Sequence, residues 1–302
     1  MVRSLVKFFS RPHWSRQHDW RRAIWRGMSS LGLTGLHALP VHRRWIDITR
    51  IDMPLVGLDP AFAGMKIVQL SDLHVSPMVL GGYLGQVVEF VNRRRPDLVV
   101  VTGDLITGGH RFVKPLGTLL KKLRTREGVV VTFGNHDYTM HGRRQRHIGT
   151  RLADRLESEL EASGIQVLRN ESLTFMRGHG KLTIVGLDDE WTDRLDAHAA
   201  WRGIENDHPI ICLNHNPVNA RELLGHPWQW MLSGHTHGRP MDELKVAGRV
   251  IKKHRPFVAG LYDIDGRSLY VNRGISYGDR RRASNRPEIT LFKLHPSEPQ
   301  HA

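Results

Sequence analysis

Five short apolar runs in this 302-residue chain each end in Asp, Asn or His. They are MKIVQL before Ser-Asp-Leu-His (Asp72, His74), LVVVTGD (Asp104), VVVTFGNHD (Asn135, His136, Asp137), IICLNH (His215) and MLSGHTHG (His235, His237). Carboxylate, amide and imidazole donors with no thiolate among them suit divalent transition metals such as Mn, Fe, Zn or Co. One or two ligands per run make seven: Asp72, His74, Asp104, Asn135, His215, His235 and His237. Seven exceed a single tetrahedral site and match two metals sharing a bridging carboxylate. The chain has 19 histidines, so any one of them alone reads as an ordinary polar residue; five clusters together do not.

Short strands carry these residues. Strands are expected at 46–52, 66–71, 97–102 and 128–133, with helices near 79–94 and 111–125. A further helix is expected over 143–163, with Ile148, Leu152, Leu156 and Leu160 at four-residue steps. After Gly164 the pattern turns more purely β: 165–168, 172–176, 181–186, 209–214, 229–233, 258–263, 268–272 and 288–293. The fold class is therefore α/β, with two packed mixed β-sheets flanked by helices. In such sheets ligands bind outside the carboxyl ends of strands, where all five clusters fall. Residues two apart on a strand point the same way, so the pairs Asp72/His74 and His235/His237 each converge if extended geometry persists. Gly103 allows a tight turn or a close backbone approach before Asp104. The segments 238–256 and 274–287 read as mobile loops, and Asp188, Asp189 and Glu190 as a turn between strands. His110, His141 and His147 read as solvated.

Hydrophobic content of 40% and charged content of 25% are those of a globular protein with a sizeable core. The formal charge of +14 is concentrated at one end: residues 1–50 hold ten Lys/Arg against Asp19 and Asp47, leaving +6 for the other 252 residues. Residues 1–44 read as a basic amphipathic arm, with Val2, Leu5, Val6 and Phe9 on one helical face and Trp20, Ile24, Met28 and Leu31 on another. Such helices lie in a membrane interface, or pack on the main domain with a solvated basic edge. Residues 45–296 form the main domain. The lone Cys212 excludes an intrachain disulfide and packs as a small hydrophobe. No apolar stretch is long enough to span a bilayer. Lys7 and Arg26 interrupt the export-signal patterns, so the expected location is cytoplasmic, peripheral on the inner face of the membrane if the arm binds there.

The blocks D-x-H, G-D, G-N-H-D, an isolated H and G-H-x-H, in this order over residues 66–238, resemble the calcineurin-like metallophosphoesterases. GLDDEW (186–191), LYVNRGI (269–275) and RPEITLFKL (286–294) resemble a bacterial branch containing membrane-associated phosphodiesterases and UDP-diacylglucosamine pyrophosphatases. The resemblance implies that Asp72, His74 and His237 hold one metal, that Asn135, His215 and His235 hold the other, and that Asp104 bridges them. It implies a water activated between two metals as nucleophile and His136 as general acid, oriented by Asp137. Arg239 departs from the family pattern after HTHG and becomes a substrate contact to test. Arg280 and Arg281 are two more, because Arg pairs well with phosphate oxygens. The expected reaction is hydrolysis of a phosphodiester or diphosphate bond in a phosphorylated small molecule, a lipid-linked or a nucleotide-diphosphate substrate, at a membrane surface. A nuclease or cyclic-nucleotide phosphodiesterase is the alternative within enzymes, although nucleic acid is not an expected partner because no nucleic-acid module is recognisable. A non-catalytic binding protein of the same fold would have lost a ligand or His136, and all are present.

Overall fold

The structure, a computed structural model, describes residues 46–77, 79, 82–140, 149–246, 249–276 and 286–298. The basic arm, His141, His147, Ile148, Arg280 and Arg281 lie outside the described residues. In chain order the elements are β1 (Asp47–Val56), β2 (Lys66–Leu70), α1 (Gly82–Arg94), β3 (Leu98–Thr102), α2 (Val113–Leu120), β4 (Gly128–Thr132) and α3 (Thr150–Ala162). They continue with β5 (Gln166–Val167), β6 (Glu171–Arg177), β7 (Gly180–Gly186), α4 (Ala197–Ala200), β8 (Ile210–Leu213) and β9 (Trp230–Ser233). The last five strands are β10 (Met241–Val246), β11 (Arg249–His254), β12 (Gly260–Ile264), β13 (Arg267–Val271) and β14 (Glu288–Ser297).

Two mixed six-stranded sheets result, ordered β1-β14-β2-β3-β4-β5 and β12-β13-β9-β8-β7-β6. Strands β2 to β5 run parallel in the first, and β7, β8, β9 and β13 run parallel in the second. The apolar runs in β3, β4, β8 and β9 do not alternate because these strands are covered on both faces. Ile67, Val100, Val130, Ile184, Ile211, Leu232 and Phe292 fill the layer between the sheets. Leu84, Val88 and Val91 of α1, Leu116 and Leu120 of α2, and Leu152, Leu156 and Leu160 of α3 cover the outer face of the first sheet. The outer face of the second sheet carries a thinner layer, with Ala200, Trp201, Leu223, Trp228 and Phe257 around Cys212, which is fully buried.

Two expectations change. Residues 238–256 do not form a plain loop: β10 and β11 pair as an antiparallel hairpin from Met241↔His254 to Val246↔Arg249. The sequences MDELKV and RVIKKH are too charged to show a clear strand pattern, and pairing with each other is what makes them strands. The run 188–190 does connect two strands, yet it is not a solvated turn. Asp188 and Asp189 are buried, and Asp188 accepts hydrogen bonds from Tyr138 Oη at 2.7 Å and Arg169 Nε at 3.2 Å.

A buried ionic clamp closes one end of the sandwich. Glu288, at the start of β14, accepts from Arg273 Nε at 3.0 Å, from the Arg273 backbone N–H at 3.1 Å and from Tyr270 Oη at 2.6 Å, and also bonds Thr49 Oγ1. Arg273 reaches Asp47 at 3.2 Å. The motifs LYVNRGI and RPEITLFKL thus meet here and tie β1, β13 and β14 together. Burial opposes the charge on Glu288, but the Arg273 guanidinium and the hydroxyls of Thr49 and Tyr270 hold its pKa below the ordinary 4.5. That contribution to stability is complete above the unfolded-state value and is lost as pH falls through the lower folded value. Replacing Glu288 by Gln is expected to cost about 3–5 kcal/mol near neutrality, because it leaves a buried guanidinium short of its counter-charge. Denaturant titrations at several pH values should show the gap to wild type narrowing below about pH 4.5. A gap independent of pH would refute the assignment.

Candidate metal centre

The parallel strands of both sheets point their carboxyl ends at one edge. That edge receives Asp72 and His74 after β2, Asp104 after β3, and Asn135, His136 and Asp137 in the turn after β4. From the second sheet come His215 after β8, and His235 with His237 after β9.

Extended geometry, the condition for convergence along a strand face, does not persist through these ends. Asp72, His74, Asp104, His235 and His237 all have left-handed backbone, with φ of 50°, 46°, 53°, 69° and 51°. Each pair converges because the chain kinks at both members, not because alternate residues share a strand face. Left-handed conformation is costly for residues with a Cβ and persists where surrounding contacts over-determine it. Small neighbours make the kinks fit. A Cβ on Gly103 would meet the His215 ring, one on Gly134 would meet Asp104 and His215, and one on Gly234 would meet Ser71 and Asp72.

Two donor clusters form. In the first, Asp72 Oδ1 lies 3.2 Å from His237 Nε2, His237 Nε2 lies 3.2 Å from His74 Nε2, and His74 Nε2 lies 3.4 Å from Asp104 Oδ2. In the second, Asp104 Oδ2 lies 3.3 Å from His215 Nε2, which lies 3.3 Å from His235 Nδ1; that atom is 3.1 Å from Asn135 Oδ1. Asp104 Oδ2 is common to both. All seven residues singled out in the sequence thus meet in one place.

The opposite side of four of the donors is fixed. Asp72 Oδ2 accepts from Ser71 Oγ at 2.6 Å, and both its oxygens share the His235 N–H, at 3.1 Å from Oδ2 and 3.2 Å from Oδ1, which turns Oδ1 toward the site. His215 Nδ1 faces the Thr102 carbonyl at 2.8 Å, which makes it the protonated nitrogen and leaves Nε2 as donor. Asn135 Nδ2 donates to the Met140 carbonyl at 2.6 Å, turning Oδ1 inward. Asp104 Oδ1 accepts the His136 N–H at 2.9 Å.

The electrostatics fit a cation. Burial opposes ionisation of Asp72 and Asp104, yet His237 beside the first and His215 beside the second hold both pKa values well below the carboxylate range. Burial, with His237 and His136 nearby, pushes His74 down to about 3. Burial, His215 and Arg255 push His235 well down too. His215 runs the other way: burial opposes its charge, but Asp104 outweighs that and raises it to about 10, so an ion at Nε2 would have to displace a proton. His74 Nε2 and His237 Nε2 lie 3.2 Å apart, and when both neutral rings carry their proton on Nδ1 their lone pairs face each other, an arrangement a divalent ion would satisfy.

His136 stands apart from both clusters, its ring edge-on to His74 with centroids 4.7 Å apart. Asp137 does not orient that ring directly. Its Oδ1 accepts the N–H groups of Leu105 and Ile106 at 2.9 and 3.1 Å, and its Oδ2 that of Gly134 at 2.9 Å. It therefore clips the turn after β4 to the turn after β3. Burial and the Asp104 charge push its pKa up to about 8. Arg239 is half-buried, with its backbone N–H on the Thr236 carbonyl at 2.9 Å. His110 is exposed. Two residues at the centre escaped the sequence reading. The Trp191 ring lies edge-on to His235 with centroids 4.7 Å apart, and Arg255 Nη1 lies 3.5 Å from the His235 carbonyl. GLDDEW was the signal for Trp191; nothing in the sequence marked Arg255.

Residues 65–239 match the family profile of calcineurin-like phosphoesterases. The chain is 31% identical over 264 residues to a Bos taurus transmembrane protein with a metallophosphoesterase domain, covering 82% of this chain and 56% of that one, so it spans little more than half that relative's length. It is 34% identical over 244 residues to the Bacillus subtilis metallophosphoesterase YkuE, covering 77% of this chain and 80% of that one. It is 28% identical over 309 residues to the UDP-2,3-diacylglucosamine pyrophosphatase LpxG of Chlamydia trachomatis, covering 86% and 93% respectively.

Substituting Ala at Gly234 should displace Ser71 and Asp72 and weaken divalent-ion binding by at least about tenfold, the equivalent of about 1.4 kcal/mol, lowering metal content. Gly85→Ala on α1, where a Cβ meets nothing within 4 Å, is the control. Elemental analysis of both purified variants checks this; wild-type metal content in Gly234→Ala would count against the packing argument.

Proposed function

The chain belongs to the calcineurin-like phosphoesterase family, and on that premise we propose that it hydrolyses a phosphodiester or diphosphate bond in a lipid-linked or nucleotide-diphosphate substrate at a membrane surface. The observation that carries the hydrolytic part is the sharing of Asp104 Oδ2 between two donor clusters, at 3.4 Å from His74 Nε2 and 3.3 Å from His215 Nε2. Asp72, His74 and His237 with Asp104 would hold one divalent ion, and Asn135, His215 and His235 with Asp104 the other; manganese is favoured. Such ions, when bound, supply Lewis acidity that neutralises phosphoryl charge and makes water a better nucleophile.

The chain's own groups do the rest. His136 is anchored through its backbone N–H to Asp104 and holds its imidazole beside His74, where it can donate a proton to the departing oxygen. Asp137 keeps that turn in register with the turn after β3. Arg255 places positive charge beside His235, and Arg239 follows two residues after His237; guanidinium groups there suit phosphate oxygens. Trp191 offers an apolar wall next to His235.

The membrane part rests on the arm and on where it joins. Strand β1 pairs parallel with β14, which is antiparallel to β2, so Asp47 lies at the edge where β2 delivers Asp72. Asp47 also reaches Arg273, and the next residue, Gly274, packs against Asp72. The basic residues 1–44 therefore join the fold at the metal edge. Among the described residues no helix is long and apolar enough to cross a membrane. The likeness to LpxG, named for a diacylated nucleotide-diphosphate sugar, supports the same substrate class.

With Mn²⁺ and a phosphodiester substrate, Asp104→Asn should abolish turnover. His136→Ala should lose about 10²–10⁴-fold with an alkyl leaving group and markedly less with a nitrophenyl one, which needs no proton. Equal losses with both leaving groups would remove His136 from the acid role. The full chain carrying Arg21→Glu, Arg22→Glu and Arg26→Glu should float less with phosphatidylglycerol vesicles than wild type; unchanged flotation would argue against the arm as the membrane contact.

A further inference from the structure

The opposite end of the first sheet carries a second concentration of charge. A cleft of about 650 Å³ opens between the start of β2, the C-terminal end of α1 and the turn after α2. Its walls hold Lys66, Arg95, Arg124 and Arg126 against a single carboxylate, Asp97. That carboxylate is already matched: Oδ2 accepts the Lys66 N–H at 2.8 Å, and Oδ1 lies 3.5 Å from Arg126 and 3.7 Å from Arg177. Glu127 nearby is taken by Arg177 at 2.7 Å. Lys66, Arg95 and Arg124 are exposed, and none has a side-chain ion pair among the described residues.

Cations at helix C-termini are ordinary complements to the helix dipole, and that explains Arg93 and Arg94 in the last turn of α1. It does not explain the strands. Lys66 on β2 stands in register with Lys293 on β14, both exposed, and like charges directly opposite one another on a sheet are destabilising. Nor does it explain Arg95, which occupies a left-handed position at φ 49° where glycine is the usual residue. The walls are held in place: Asn92 Nδ2 donates to the Lys122 carbonyl at 2.9 Å, and its Oδ1 accepts the Arg124 N–H at 2.8 Å.

We propose that this cleft is an anion site that takes a phosphate-bearing ligand, separate from the metal centre. Guanidinium groups suit phosphate oxygens, and Arg95 and Arg124, with Lys66, stand around one cleft unpaired among the described residues. The five residues of β3 separate the two ends by about 17 Å at about 3.3 Å per residue, too far for one phosphate group to touch both. The ligand is either a free phosphate compound or a phospholipid head group.

The test uses inorganic phosphate with the full chain. Calorimetric titration of Asp104→Asn, in which the metal centre is impaired, should still give saturable binding. Adding Arg95→Gly and Arg124→Gln should weaken it at least tenfold. Arg95→Gly suits the backbone at that position, so the melting temperature should hold, and the pair in an otherwise wild-type chain should leave turnover unchanged. Reduced flotation of that pair with phosphatidylglycerol vesicles would assign the site to a head group, and unchanged flotation to a free phosphate compound. No saturable binding in Asp104→Asn, or binding unaltered by the two cleft substitutions, would overturn the proposal.

Discussion

Asp104 is a buried carboxylate placed within 3.4 Å of imidazoles from both sheets. Burying such a group is expensive unless it is matched by charge and hydrogen bonds, and the surrounding structure supplies both. Its Oδ1 takes a backbone N–H and its Oδ2 faces His74 and His215. His74 follows a strand of the first sheet and His215 a strand of the second, so the carboxylate joins the two sheets at their common edge. The packing of Ile67, Val100, Ile211 and Leu232 between the sheets is what brings those two imidazoles to one oxygen.

The same edge concentrates backbone strain. Five of the seven metal-ligand candidates sit at positive φ, and glycines at 103, 134 and 234 lie where any side chain would collide with one of those candidates. Rigid, doubly covered parallel strands can hold such turns because their own hydrogen bonds and packing fix where each turn begins. Asp137 extends this control by binding three backbone N–H groups across two turns. It serves the geometry of the centre through the main chain.

Charge is divided between the two ends of the molecule. The edge of the candidate metal centre gathers buried carboxylates and imidazoles, and the basic arm leads into it through β1; the far end exposes Lys66, Arg95 and Arg124 around a cleft. The Glu288–Arg273–Asp47 clamp ties the first of these ends together, linking the strand that follows the arm to the loop that braces Asp72.

Local pattern was enough to establish which strands carry the chemistry. Apolar runs ending in Asp, Asn or His mark the strand ends, and their residue types mark a site for divalent metals, because strand cores and donor atoms are local properties. The pairing of β1 with β14, the β10–β11 hairpin and the left-handed turns were not legible, since charged strands have no clear alternation and φ is not written in residue type outside glycine. It took the packed sheets to show that Asp104 offers one oxygen to both clusters, that Asp137 grips backbone and not the His136 ring, that Trp191 and Arg255 stand beside His235, and that distant cations share a cleft. Each of these depends on residues from separate strands meeting across the fold, and no local pattern in a chain encodes such a distance.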